Sequence, residues 1–209
     1  MIDFNVQVDE SSVKKADSSG GITEKGMYIG TFTKVELIQA QTGTLGVEFD
    51  FKTNDDIQVK GMKFWIQKAD GTKIFGLDKL MALASLLGVP TLKPTTQNRL
   101  KYDYDAKTEI TKDVKCFVEL ENKPIGVLLF KEEYEWEGNI KFKMSIEMFF
   151  DAQTKQNAKE KLEKKEAQIV ERRFKSLKDK LLAPQTNNYP QTTSDGVAEI
   201  NIDDDDIPF

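Results

Sequence analysis

Flat rings beside lysines recur along this chain. That pairing is what an unpaired polynucleotide strand requires: π surfaces for its bases and ammonium groups for its phosphates. Trp65 stands two residues from Lys63 and Phe117 two residues from Lys115. Tyr134 and Trp136 share the stretch KEEYEWEG, and Lys141 and Lys143 follow it. Lys34, near Phe32, and Lys60 complete the candidate strand-binding set. Lys73 is a further phosphate contact, and Tyr102 and Tyr104 near Arg99 and Lys101 are a further platform. Core packing competes for every ring. Phe32, Phe64 and Phe142 are expected inside. Trp65 and Phe117 suit either environment, because their neighbours at two-residue spacing include lysines. Tyr134 and Trp136 are expected at the surface, since KEEYEWEG cannot bury four glutamates. Those glutamates also repel phosphate, so such a hairpin would work through its rings or serve as a partner surface.

Enzyme chemistry has less to draw on. The chain has no histidine, which removes the commonest general base and the commonest metal ligand, and one cysteine, Cys116, which excludes an intramolecular disulfide. Cys116 lies in an apolar alternation and is expected to be a small core residue. Asp103 and Asp105, or the acids of 132–137, could in principle hold two Mg²⁺ ions for phosphodiester cleavage. They sit in polar, turn-like stretches and are more simply solvated. No phosphate-cradling G-x-x-x-x-G-K-[ST] or strand-linked G-x-G-x-x-G occurs. The expectation is a protein without catalytic residues, metal or cofactor.

The last seven residues carry a second signal. Asp203, Asp204, Asp205 and Asp206 repel one another, and Pro208 removes a backbone donor, so Ile207 and Phe209 are apolar side chains with no core of their own. A solubilising acidic tail is the bland reading. A run that ends in Ile-Pro-Phe points instead to a docking peptide for a partner with an apolar pocket rimmed by Lys or Arg.

This ending, DDDDIPF, resembles the acidic tip of the bacterial single-stranded DNA-binding proteins, and the body is more similar to phage-encoded members of that class. The resemblance covers seven residues, or about 25 with the spacer before them. It implies sequence-independent binding of single-stranded DNA in replication, recombination and repair, with the tip recruiting partner proteins from those processes. Phe209 and Pro208 would be the anchors, Ile207 a secondary apolar contact, and Asp203 to Asp206 steering charges. The body departs from the usual bacterial member in being longer before the spacer. An adaptor that docks on host replication proteins without binding DNA is one alternative. A recombination mediator or strand-annealing protein is another.

The elements that must position these residues follow from periodicity. Residues 1–25 read as a polar N-terminal arm in which Ile2, Phe4, Val6 and Val8 alternate. Residues 27–39, 44–52 and 57–67 read as three strands, with interior glycines at 30, 46 and 61 marking bulges or bends. Residues 77–87 read as a helix with Leu77, Leu80, Met81, Ala84 and Leu87 on one face and Gly88 as its C-terminal cap. Residues 89–112 lack a period and read as a long loop. Strands resume at 114–121, 125–131 and 139–150. A helix between the third and fourth strands of a mainly β domain, here 26–150, is the order of an OB-fold-like barrel. Residues 151–183 contain no Gly and one apolar stripe, so they read as one long charged helix, with a contact to a second copy of the chain expected through that stripe. Residues 184–209 have the composition of a disordered linker that ends in the acidic tip.

Charge and hydropathy set the surroundings. The net charge of −5 is unevenly spread, with −2 on residues 1–25, −1 on 26–150, +4 on 151–183 and −6 on 184–209. The low pI therefore does not argue against a polyanionic ligand, although any DNA surface must be local. No apolar run approaches the roughly 18 residues of a membrane span, and the N-terminus lacks a signal-peptide pattern. A bacterial host cytoplasm, with no membrane contact, is the expected setting.

Overall fold

The computed structural model of the protein describes residues 21–103 and 106–182. The expected N-terminal arm strand, Tyr104, Asp105 and the whole acidic tip lie outside the described residues. What is described is mainly β, with few helices and a sheet that is not closed.

Strands β1 (Gly26–Gln39), β2 (Leu45–Thr53) and β3 (Gln58–Gln67) form an antiparallel meander. In β2, Val47, Phe49 and Phe51 are buried while Glu48 and Asp50 point outward, as strict alternation requires. Bulges interrupt β1 between Phe32 and Lys34 and the β2–β3 ladder between Phe49 and Phe51. These let long strands bend around one core. At its centre the rings of Phe32, Phe49, Phe51 and Phe149 pack at centroid distances of 5.1 to 6.1 Å.

Helix α1 (Phe75–Leu86) closes one end and buries Leu80, Leu83, Ala84 and Leu86. It stops where the sequence indicates. Gly88 has φ of 67°, its N–H donates to Ser85 O, and the Val89 N–H donates to Ala84 O, a Schellman ending. Met81 does not join the buried face and is 59% exposed.

The segment expected as a long loop is instead a hairpin, β4 (Thr95–Asp103) and β5 (Thr108–Cys116), in register throughout. It escapes a periodicity search because neither face is apolar. Thr, Gln, Asn, Arg and Lys occupy both phases of the alternation. The chain then leaves the sheet at Cys116 and makes a 3-10 turn over Val118–Leu120, so the strand expected at 114–121 ends halfway. Finally β6 (Pro124–Trp136) and β7 (Asn139–Phe150) form one long hairpin through a two-residue turn. Glu137 and Gly138 both have positive φ there, 50° and 73°, the backbone a right-twisted hairpin needs.

The strand order is β3-β2-β1-β5-β4. The N-terminal half of β1 pairs with β6 and its C-terminal half with β5. β7 packs beside β3 and α1 without a ladder joining β7 to β3.

The single long helix expected over 151–183 is not what the chain forms. Two short helices, α2 (Ala158–Leu162) and α3 (Ile169–Ser176), are separated by a turn. Glu160 explains the break. Its buried carboxylate accepts from Asn157 N–H at 2.9 Å, closing a capping box with the Asn157 side chain, and from Gln168 and Ile169 N–H at 2.8 Å each. One side chain thus caps both helices, and its pKa lies below the usual carboxylate range: burial opposes the charge, but those backbone donors outweigh it. Lys164, at φ 53°, takes the left-handed position that ends α2. The apolar stripe divides accordingly. Val170 is buried and Leu177 packs with Leu128 and Phe130 of β6, while Leu162 and Leu181 remain 73% and 62% exposed. Beyond α3, Lys180 continues the ladder beside β6 where β1 has ended, with Lys180 N–H on Lys131 O and Glu133 N–H on Lys180 O. An otherwise open strand edge is thereby covered. Among the described residues no helix is long and apolar enough to cross a membrane.

Candidate nucleic-acid interface

The β6–β7 hairpin outruns the core. From Tyr134 to Lys143 every residue is exposed, and its ladder keeps strict register. Residues 132, 134 and 136 of β6 face 143, 141 and 139 of β7, so Tyr134, Trp136, Lys141 and Lys143 share one face. Tyr134 is 38% and Trp136 54% exposed, and the Lys141 ammonium stands 5.6 Å from the centre of the Trp136 ring. A cation and a bare indole are therefore held together by main-chain register.

Two of the four glutamates of 131–138 are engaged, while Glu135 and Glu137 near the tip are exposed. Glu132 accepts from Ser145 Oγ at 2.8 Å and lies 3.3 Å from Lys180 and 3.5 Å from Lys143. Burial opposes its charge, but Ser145 and the two lysines lower its pKa. Glu133 accepts from Leu182 N–H at 3.1 Å. These acids split between two faces and bind donors, so they do not converge as a pair of metal ions would demand.

The opposite face adds rings that the sequence pattern assigned to the core. Phe142 is 45% and Ile140 61% exposed, with Lys131 Nζ 5.1 Å from the Phe142 ring centre. Cross-strand partners carry the missed signal. Phe142 faces Glu133 and Ile140 faces Glu135, and a strand position opposite a glutamate near a two-residue turn is not buried.

A second group lies on the outer face of the β1–β3 meander. Trp65 is half-buried and lies across Gly46, where a Cβ would come within 2.6 Å of its ring. Lys63 Nζ is 5.9 Å from the ring centre, and Lys63 and Lys60 are exposed. Lys34 is on this face but already neutralised, with its ammonium 2.7 Å from Glu48 and 3.4 Å from Asp50. Burial works against its charge, and those carboxylates more than offset it and raise its pKa. Glu36, 4% exposed, faces Glu48 across the ladder and takes Lys101 at 2.5 Å, while its second carboxylate oxygen has no partner. Arg99 reaches Glu121 at 2.6 Å. Two cations of β4 thus tie the inserted hairpin down.

The remaining residues fall elsewhere. Phe117 is a correction: it is 5% exposed and belongs to the core. The chain turns just after Cys116, which rotates Phe117 and Leu120 inward and leaves Val118 38% exposed. Lys115 donates to Thr96 Oγ1 at 2.7 Å and pairs with Leu37, one residue out of phase with the Glu36–Cys116 pair. Lys73 is exposed, and Tyr102 is 52% exposed beside a 68% exposed Leu100 on β4. The arrangement thus gathers four of the chosen residues on the hairpin arm and three around Trp65. The chain matches no protein-family model, and no curated protein matches it in sequence.

Proposed function

We propose that the protein is a non-enzymatic, sequence-independent single-stranded DNA-binding protein built on an OB-like barrel, acting in DNA replication, recombination and repair. The three-strand meander, α1, and the β6–β7 hairpin paired back to β1 correspond to the five strands and intervening helix of such a barrel, with β4–β5 as an insertion. One observation carries the binding reading: Tyr134, Trp136, Lys141 and Lys143 share one face of a hairpin arm that projects past the core. Rings there stack on bases of any identity, and the lysines meet phosphates. Trp65 with Lys60 and Lys63 supplies a second platform. The segment Asp203–Phe209 recruits partner proteins through Ile207, Pro208 and Phe209.

The deciding measurement is titration of fluorescent dT oligomers at two salt concentrations. Quenching of tryptophan emission with an affinity that falls as salt rises is the expected result. A protein that addresses partners through the tip without touching nucleic acid would leave both signals flat even in dilute buffer, and that outcome would end the strand-binding reading.

A further inference from the structure

Two adjoining cavities of about 510 and 800 Å³ share Lys79, Ala82 and Met148 and form one trough along the outer side of α1. Its far wall is α2 and α3, the segment that carries the +4. One end is apolar, with Met81 and Leu162 59% and 73% exposed beside Ala158. The other end holds Lys79, Arg172 and Arg173, under a Phe75 ring that is 70% exposed.

The cations of the basic end are under-satisfied. Lys79 is half-buried, donates to Ile146 O at 2.9 Å and forms no ion pair among the described residues. Burial chiefly lowers its pKa, Glu147 pulls the other way, and Lys180 and Arg173 lower it further. Arg172 also lacks an ion pair among the described residues. The carboxylates at the trough are Asp78, Glu147 and Glu163. Glu147 is held by Arg173 at 2.5 Å and Glu163 by Lys165 at 2.7 Å. An anion entering here would meet Lys79, which also lies 5.7 Å from the Phe75 ring, and Arg172, whose charge also acts on Glu160, with the exposed Asp78 carboxylate at the same end.

We propose that this trough takes the chain's own segment Asp203–Phe209. Ile207, Pro208 and Phe209 would fill the apolar end, and the aspartates would face Lys79 and Arg172. Reach permits it. Ser176 lines the basic end and Leu182 follows six residues later. The roughly 20 residues from there to Asp203 allow the reach, since a chain extends by up to about 3.5 Å per residue. A tether of that length holds the segment near millimolar effective concentration, so weak intrinsic affinity is enough. The tip is then withheld from partners until one of higher affinity displaces it. This inference rests on the docking reading of the tip and not on strand binding.

The test uses the full-length, isotope-labelled chain with a nitroxide on Leu162→Cys, and a second sample with the nitroxide on Lys141→Cys. Cys116 is buried and escapes labelling. The amide signals of Ile207 and Phe209 should lose more than about half their intensity in the first sample and little in the second. The combined Lys79→Glu and Arg172→Glu change should restore them. Broadening from Lys141 instead would put the segment on the strand-binding arm, and no broadening from either label would leave it undocked. Broadening that persists when isotope-labelled chains without nitroxide are mixed with nitroxide-bearing chains without isotope would make the occupant a second copy. Each of these three outcomes overturns the proposal. A dT titration on the unmodified chain, which keeps every strand-binding candidate, reads the strand-binding proposal separately, so one can fail without the other.

Discussion

Trp136 is the side chain on which strand binding is most exposed to test. Its ring is held by register next to Lys141 and supports nothing in the core. Trp136→Ala should therefore lower affinity for dT oligomers by about 5- to 150-fold, the range of roughly 1–3 kcal/mol per stacked base. The melting temperature should stay within a degree or two. Trp65→Ala should lower both, because its ring also covers Gly46. A residue of another kind is Asp151, 2.6 Å from Lys161 and accepting from Gln153 and Thr154 N–H. Burial opposes its charge, but the Lys161 hydrogen bond and those N–H donors lower its pKa to about 2. A depressed carboxyl stabilises the fold fully above its unfolded value near 4, and that contribution disappears as pH falls toward 2. Asp151→Asn should then cost on the order of 1 kcal/mol at pH 7 and almost nothing at pH 2, a contrast that urea melts at the two pH values will read.

The elements stand or fall on a few polar contacts. Glu160→Ala strips acceptors from three backbone N–H groups and uncaps α2 and α3 together. A loss of roughly 2–4 kcal/mol in urea unfolding is expected, with faster amide exchange confined first to 157–176. For the inserted hairpin, Lys101→Met leaves the Glu36 carboxylate buried opposite Glu48 and should cost about 2 kcal/mol. Adding Glu36→Gln should recover much of it, since removing both members of a half-buried pair is milder than removing one. Non-recovery would mean that Lys101 acts through its packing rather than its charge. These two devices also mark where reading the chain by periodicity gives out. The strands over 26–67 and helix α1 were legible because one face of each is apolar and the other is not. The β4–β5 hairpin, polar on both faces, has no such contrast. Residues 151–183 carry helix formers throughout, and helix propensity, worth only tenths of a kcal/mol per residue, yields to one buried glutamate with three donors. Phe117, which suits either environment by pattern, lies inside, and Phe142, expected inside, is exposed for a related reason: alternation continues in the sequence past the point where the strand has left the sheet or the core has ended.

For the molecule as a whole, the charge split decides how the tip and the strand-binding arm influence one another. The acidic segment 184–209 carries −6, and in dilute buffer such a charge repels DNA from any part of the surface. At about 0.15 M salt the Debye length is about 8 Å, and only a tip seated among the strand-binding residues would still compete with DNA. The trough lies against α1, α2 and α3, and its lining shares no residue with the Tyr134–Trp136 arm or with Trp65. A tip held there therefore leaves the proposed strand-binding residues unoccupied. Deleting 203–209 should tighten dT binding in dilute buffer, where screening is weak, and change it by less than about twofold near 0.15 M salt. The same deletion should therefore steepen the salt slope, because the gain is confined to dilute buffer while the number of lysine–phosphate contacts is unaltered. A tip that competes directly for those lysines would behave differently. Its removal would raise affinity several-fold at both salt concentrations, and that pattern would relocate the tip from the helical trough to the strand-binding face.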